Sequence, residues 1–305
     1  MDAGEILAQV RAAARQEQFL HVIDRDAAFA RWWNAIGPKP LATERVGLDA
    51  ALGRVLAASV AAAIDVPSFD RSLVDGFAVR AADIALATDA TPVLLRLNAE
   101  LIRCGHAPSL TVRPGTASLI ATGGQVPRGA DAVVMVEHTE SDEAAGVPVV
   151  RVRRAAAPGA FIGFAGADIA RGETMLRTGH VIDSRAVGML AASGCAEVAV
   201  VRRPVVAVLS TGDELVAPGR PLPPAGVFDS NAGIIAASVS EAGGEPLALG
   251  IVADDLAALE AALGQATARA DLVVLSGGTS KGAGDLSFRA LDRLPPPGVL
   301  CMAWR

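Results

Sequence analysis

The spacing of hydrophobic and polar positions changes twice along the chain. From residue 1 to about 35, apolar residues recur at helical spacing and stop near Gly37-Pro38, which predicts helix. LDAALGRVLAASVAAAI (48–64) predicts a helix that finishes as a strand, and the polar stretch DVPSFDRSLVDGFAVRAAD then interrupts the pattern. From about 90 to 155, short alternating runs such as VLLRL, ASLIA and VPVVRVR lie between Pro/Gly turns, the pattern of a β-rich segment. Residues 156–201 are glycine-punctuated and contain one short helix, SRAVGMLAAS, capped at Ser184 and closed by Gly194.

From 204 onward strand and helix alternate. PVVAVLS, PLALGIVAD and DLVVLS are continuous apolar runs, as expected of strands buried on both faces. SNAGIIAASVSEAGG has a helical pattern with Ser230 or Asn231 as cap, DLAALEAALGQATARA is a helix with an Asp cap, and LSFRALDRL is a helix ended by prolines. This succession predicts a doubly wound parallel sheet, a fold that binds ligands outside the carboxyl ends of its strands. TGDE (211–214) follows the first strand, Asp254 and Asp255 the second, and GGTSKGAGD (277–285) the third. Asp255 and Asp285 would also serve as plain helix caps, but three polar loops on one edge favour a shared site. The glycines of the third loop let a backbone approach a ligand closely, and a helix start beyond them would aim N–H groups at an anion. The loop is neither a P-loop nor a Rossmann fingerprint. Asp213, Glu214, Asp254 and Asp285 would repel one another unless a cation or Lys281 sits among them, so the implied ligand is phosphorylated or nucleotide-like, with Mg²⁺.

Composition narrows the classes. The chain has 305 residues, enough for two or three domains. It is 51% hydrophobic, yet only 4% aromatic with no Tyr; no stretch approaches about 18 uninterrupted apolar residues, so no membrane partner is expected. A net charge of −6 argues against a nucleic-acid surface. Cys104, Cys195 and Cys301 form no CxxC, and the four histidines are scattered, which fits a reducing cytoplasm and no zinc motif. Trp32 and Trp33 are expected to pack a helix.

Several segments together resemble the molybdopterin molybdenumtransferases, the MoeA family that includes the E domain of gephyrin. DVPSFDRSLVDGFAVR, ATGGQVPRGADAVVMVEHTE, PVVAVLSTGDELVAPG, FDSN and LSGGTSKGAGD follow in the family's order and spacing. The resemblance implies an α/β multidomain fold. An elongated helical/β N-terminal domain (1–66 and 155–201) would carry an inserted small β domain (67–154). A doubly wound molybdopterin-binding domain (202–305), incomplete at its C-terminus, would follow. It also implies insertion of molybdate into adenylylated molybdopterin, with Mg²⁺-dependent hydrolysis of the adenylate and release of AMP. The catalytic positions would be Asp75, Thr122, Glu214 and Asp285. The pterin or its phosphate would meet Thr211, Gly212, Asp213, Ser276, Gly277, Gly278, Ser280, Lys281 and Asp168. The metal would sit on Asp254, Asp285 and Glu214. A cytoplasmic homodimer sharing its site between chains is implied, with molybdopterin adenylyltransferase as a further partner. Plainer roles stand beside these: a turn acid for Asp75, a loop hydroxyl for Thr122, a turn acid beside Arg171 for Asp168.

The chain departs from the family pattern in places. Phe77 replaces the usual Tyr of the DGYA motif, and TSKG replaces the commoner V-S-V-G. After GVL, family chains carry a P-G-K-P loop and a small β-barrel domain, whereas this sequence reads CMAWR. In chosen codons, dropping one base from V-H-G-V-A-L-K after Leu300 gives Cys-Met-Ala-Trp-Arg-stop, so a truncating frameshift is the expectation. It carries with it a frayed ending, an exposed apolar sheet edge, poor solubility and weak or no catalysis. A fragment that only binds molybdopterin or dimerises is the main alternative function; an adenylyltransferase and a scaffold are others.

Overall fold

A computed structural model describes residues 22–277, 286–293 and 302–303. Contacts divide the chain into two compact units, one of residues 45–199 and one built from the segments before and after it.

The unit of residues 45–199 is organised on a six-stranded sheet. Its strands are β1 (Gly76–Val79), β2 (Val93–Ile102), β3 (Thr116–Ile120), β4 (Ala132–Met135), β5 (Thr139–Ala144) and β6 (Val147–Val152). Their spatial order is β4-β1-β3-β2-β6-β5. Every neighbouring pair is antiparallel except β2 and β3, which are parallel. All four residues of β1 are buried, because both faces of the sheet are covered. Phe77 and Val79 point into a core with Ile84, Leu95 and Val150, while Ala78 points to the other side, among Ile102, Ile120 and Ile162. Gly76 is required where it stands: a Cβ there would run into the Val134 carbonyl oxygen across the strand pair.

Two elements of this unit differ from their sequence expectation. In 48–64 only one turn of 3-10 helix (Leu48–Ala50) and a two-residue strand (Val60–Ala61) form. Between them the backbone bonds to distant segments, Gly53 N to Ile182 O and Leu56 N to His180 O, so remote pairing overrides helical spacing. The short helix forms as α2 (Ser184–Ala192), but Asp183 caps it, accepting from Ala186 N at 2.7 Å.

The other unit holds a three-stranded parallel sheet of β7 (Val205–Thr211), β8 (Glu245–Val252) and β9 (Leu272–Ser276), in the order β8-β7-β9. Helix α3 (Ser230–Glu241) joins β7 to β8, and α4 (Leu256–Arg269) joins β8 to β9. The second crossover passes back across β7. Two right-handed connections running in opposite directions lay their helices on opposite faces, the doubly wound arrangement. Leu209 of β7 packs against Leu259 and Leu263 of α4 and Ala290 of α5 (Leu286–Asp292). Each of the three leucines is fully buried, worth about 1.5–3 kcal/mol apiece before entropy is subtracted. Asp255 caps α4 as expected; α3 is capped by Asp229, accepting from Ala232 N, and not by Ser230 or Asn231. Strand β9 is an edge of the described sheet, with Leu272 43% exposed.

Helix α1 (Arg25–Ile36) opens on Asp24, which accepts from Asp26 N and Ala27 N, and closes on Gly37 in the left-handed conformation. Its Trp32 and Trp33 stay 39% and 49% exposed; Trp33 stacks on Phe29 at a ring-centroid distance of 5.7 Å and Trp32 meets the same ring tilted, at 5.8 Å, instead of packing into a core. Met302–Ala303 pair in parallel with Val22–Ile23, where a frayed tail was expected. No described helix is long and apolar enough to cross a membrane.

Candidate functional site

The parallel sheet brings its polar loops together at the carboxyl ends of β7, β8 and β9. Strand β7 ends on Thr211, buried at 4% exposure, and the chain turns through Gly212 into Asp213 and Glu214. The Thr211 hydroxyl donates to Asp254 Oδ1 at 2.8 Å, and Asp254 N donates to Asp213 Oδ1 at 3.1 Å. The loop after β7 is thereby tied twice to the loop after β8. The Glu214 carboxylate folds back over Gly212, where a Cβ would meet it at 2.8 Å. Gly277, just past β9, has φ 109°, and a Cβ there would collide with the Thr211 carbonyl oxygen. Only glycine lets the ends of β7 and β9 approach in this way. Ser276 Oγ accepts from Asn231 Nδ2 at 2.9 Å, which fixes the last residue of β9 from the first turn of α3.

Thr211, Gly212, Asp213, Glu214, Asp254, Ser276 and Gly277 therefore share one edge. Gly278, Ser280, Lys281 and Asp285 lie outside the described residues. Among the described residues no group of three or more His, Cys, Asp and Glu side chains forms a metal cluster.

Asp75, Thr122 and Asp168 belong to the unit of residues 45–199. Asp75 immediately precedes β1, and its Oδ1 accepts from Thr122 N at 2.7 Å; its carbonyl accepts from Val136 N at 3.0 Å. Asp75 thus pins the turn after β3 to the start of β1, and Thr122 keeps its hydroxyl outside that bond. Gly123, with φ 79°, donates to Ser72 O at 2.8 Å, and Ser72 N donates to Gly124 O at 2.9 Å. Cys104 Sγ donates to Thr122 O at 2.9 Å. Asp168 meets Arg71 at 3.8 Å, both side chains being substantially exposed, and not Arg171, whose N–H goes to Asp65 Oδ1.

These motifs stand in both parts of a known family. The family model "MoeA N-terminal region (domain I and II)" matches residues 17–194, more than half of the chain. The chain belongs to the MoeA family. A second model, "Probable molybdopterin binding domain", matches residues 207–297, the stretch that holds the parallel sheet. Among curated MoeA relatives, molybdopterin molybdenumtransferase 2 of Mycobacterium tuberculosis is 43% identical over 238 residues, 78% of this chain and 58% of that protein. The molybdopterin molybdenumtransferase of Nostoc is 41% identical over 252 residues, 83% of this chain and 57% of its own length. The chain thus spans a little over half the length of these relatives. The crystal structure of a molybdopterin biosynthesis MoeA protein from Pyrococcus horikoshii matches with a TM-score of 0.78 at 33% identity, covering 90% of this chain and 67% of that one.

Two residues that touch these candidate positions are not marked as such by the sequence. Asn231 was read as a possible cap, but its side chain reaches Ser276; its place in FDSN, within the resembling segments, was the available signal. Cys104, read only as an isolated thiol, holds the turn that carries Thr122, and nothing in its sequence neighbourhood marks that role.

Proposed function

We propose that this chain acts in molybdenum cofactor biosynthesis as a molybdopterin molybdenumtransferase. It would insert molybdate into adenylylated molybdopterin, hydrolyse the adenylate and release AMP, in the cytoplasm and as a homodimer. The observation that carries this reading is the tied acidic edge of the parallel sheet, Asp213, Glu214 and Asp254 beside the Gly277 backbone, in a chain of the MoeA family.

The Thr211 hydroxyl orients Asp254, and the bond from Asp254 N holds Asp213 in place. Ser276 and Gly277, continued by Gly278, Ser280 and Lys281, cradle the phosphorylated pterin through backbone N–H groups and one cationic side chain. Glu214 accepts a proton from the water that attacks the adenylate phosphate. In the homodimer, Asp75, Thr122 and Asp168 of the second copy contribute further contacts to the ligand. The donor set suits a hard divalent cation, since carboxylate oxygens are the usual ligands of Mg²⁺ and Asp254 has Oδ2 beyond its bond to Thr211. Asp254, Glu214 and Asp285 would hold the ion. When bound, it supplies positive charge that offsets the phosphate.

The test is AMP release from adenylylated molybdopterin by the full chain with Mg²⁺, with and without molybdate. Molybdate-dependent release that drops at least tenfold in Asp254→Asn, with an unchanged circular dichroism spectrum, is the expected result. Binding of molybdopterin with no AMP release sinks the transferase reading and leaves a binding-only chain. Consumption of ATP with free molybdopterin assigns adenylyl transfer instead.

A further inference from the structure

Within the unit of residues 45–199, two adjoining cavities of about 260 and 380 Å³ share His138 and Arg154 as wall residues. The first is lined mainly by small apolar side chains and by Phe161. The second is lined by Thr88, Asp89, Arg153 and Arg154 together with His138. Local folding fixes the two arginines and the histidine. His138 ends a one-turn 3-10 helix (Val136–His138), and Arg153 N, just past β6, donates to its carbonyl at 2.9 Å. Arg154 Nη1 lies 3.3 Å from His138 Nε2, and Arg153 Nη2 donates to Glu137 O at 3.2 Å.

Three features of this place are unexplained by folding. Neither Arg153 nor Arg154 forms an ion pair among the described residues, although two guanidiniums and an imidazole crowd together in a chain of net charge −6. Arg153 Nε is buried with no hydrogen-bond partner, and a buried donor ordinarily finds one. Phe161 stays 42% exposed where it lines the first cavity, a large apolar side chain left without cover. A planar group stacked on that ring and a phosphate on the two guanidiniums would answer all three, because arginine forks suit phosphate oxygens and aromatic faces suit flat heterocycles.

We propose that these cavities form a binding site for a phosphate monoester carrying a planar ring, of mononucleotide size. The ring lies against Phe161 and the phosphate bridges Arg153, Arg154 and His138. This site goes beyond the proposed transferase reaction and stands without it, since none of its residues belongs to the parallel-sheet edge.

The experiment is calorimetric titration of the full chain with AMP, adenosine and inorganic phosphate at fixed ionic strength. AMP binding is expected, with phosphate and adenosine each weaker. Arg154→Gln and Arg153→Gln are each expected to weaken AMP by about tenfold or more. Arg154 is exposed, so its variant tests the site even if the Arg153 variant folds poorly. Phe161→Ala is expected to weaken AMP while leaving phosphate unchanged. No binding of AMP by the unaltered chain, or equal affinity in Arg154→Gln, overturns the proposal. Equal affinity for AMP and phosphate overturns the ring component. Loss of AMP binding in Asp254→Asn with none in Arg154→Gln assigns the ligand to the sheet edge and overturns it as well.

Discussion

At the scale of single residues, the candidate site depends on atoms that sequence patterns do not carry. That Thr211, Asp213 and Asp254 lie near one edge follows from their places after strands, and the pattern predicts it. That the Thr211 hydroxyl is the donor holding Asp254 does not follow, because the two residues are far apart in sequence and meet only through strand pairing. Thr211→Val keeps the shape of this buried side chain and removes only the hydroxyl. Asp254 Oδ1 then loses its donor, at a cost of about 1–2 kcal/mol in denaturant unfolding. The proposed AMP release should fall further than stability does, because the freed carboxylate is no longer aimed. A variant with unchanged unfolding and unchanged turnover would show that the bond orients nothing. The same distinction applies to Asp75, whose carboxylate reads from sequence as either a turn acid or a site acid. In the fold it holds Thr122 N, which makes it at least a positioning residue for that turn.

At the scale of elements, the strands after residue 204 are legible because each is a continuous apolar run, and each run forms a parallel strand; only β7 is buried along most of its length, while every residue of β8 and β9 is half-buried or exposed, short of the burial on both faces that such runs predict. The caps of α2 and α3 lie before the expected ones, Asp183 in place of Ser184 and Asp229 in place of Ser230 or Asn231. In both places an Asp precedes a Ser, and either can cap; the Asp carboxylate took the backbone N–H. The segment 48–64 was misread for a different reason: its partners lie more than a hundred residues away. Another long-range link is open to test. Arg202 donates to both carboxylate oxygens of Asp271 at 2.8 and 2.9 Å, and Val205 N donates to the same side chain at 2.8 Å, joining the starts of β7 and β9. The hydrogen bonds from Arg202 and then from Val205 hold the Asp271 carboxyl below its ordinary range. A carboxyl depressed on folding contributes stability that is fully present above its unfolded value, about 3.9, and is lost as pH falls through the lower folded value. Asp271→Asn should therefore lower the thermal midpoint at neutral pH, and the gap to the parent chain should close below about pH 4. A gap that stays constant down to pH 2 would mean the charge contributes nothing.

At the scale of the whole molecule, two cores stand where composition suggested only that several domains were possible. The core of residues 45–199 is a sheet covered on both faces, with Phe77, Ile84 and Leu95 on one side and Ile102 and Ile120 on the other. The core of the other unit is a parallel sheet packed by Leu209, Leu259 and Leu263. The six-stranded sheet takes its neighbours mostly from antiparallel pairing and the three-stranded sheet entirely from helix crossovers, so the two are closed by different parts of the chain. A cavity cut into one core should be felt in that core. Leu209→Ala removes a fully buried side chain at a cost of about 2–5 kcal/mol. Hydrogen exchange followed by mass spectrometry should then show faster exchange in peptides covering 205–211, 245–252 and 272–276, with those covering 76–79, 116–120 and 132–135 unaltered. Ile120→Ala should give the reverse pattern. Loss of protection in both sets from either single substitution would show that the chain unfolds as one cooperative body, and the two sheets would then share one stability despite their separate cores.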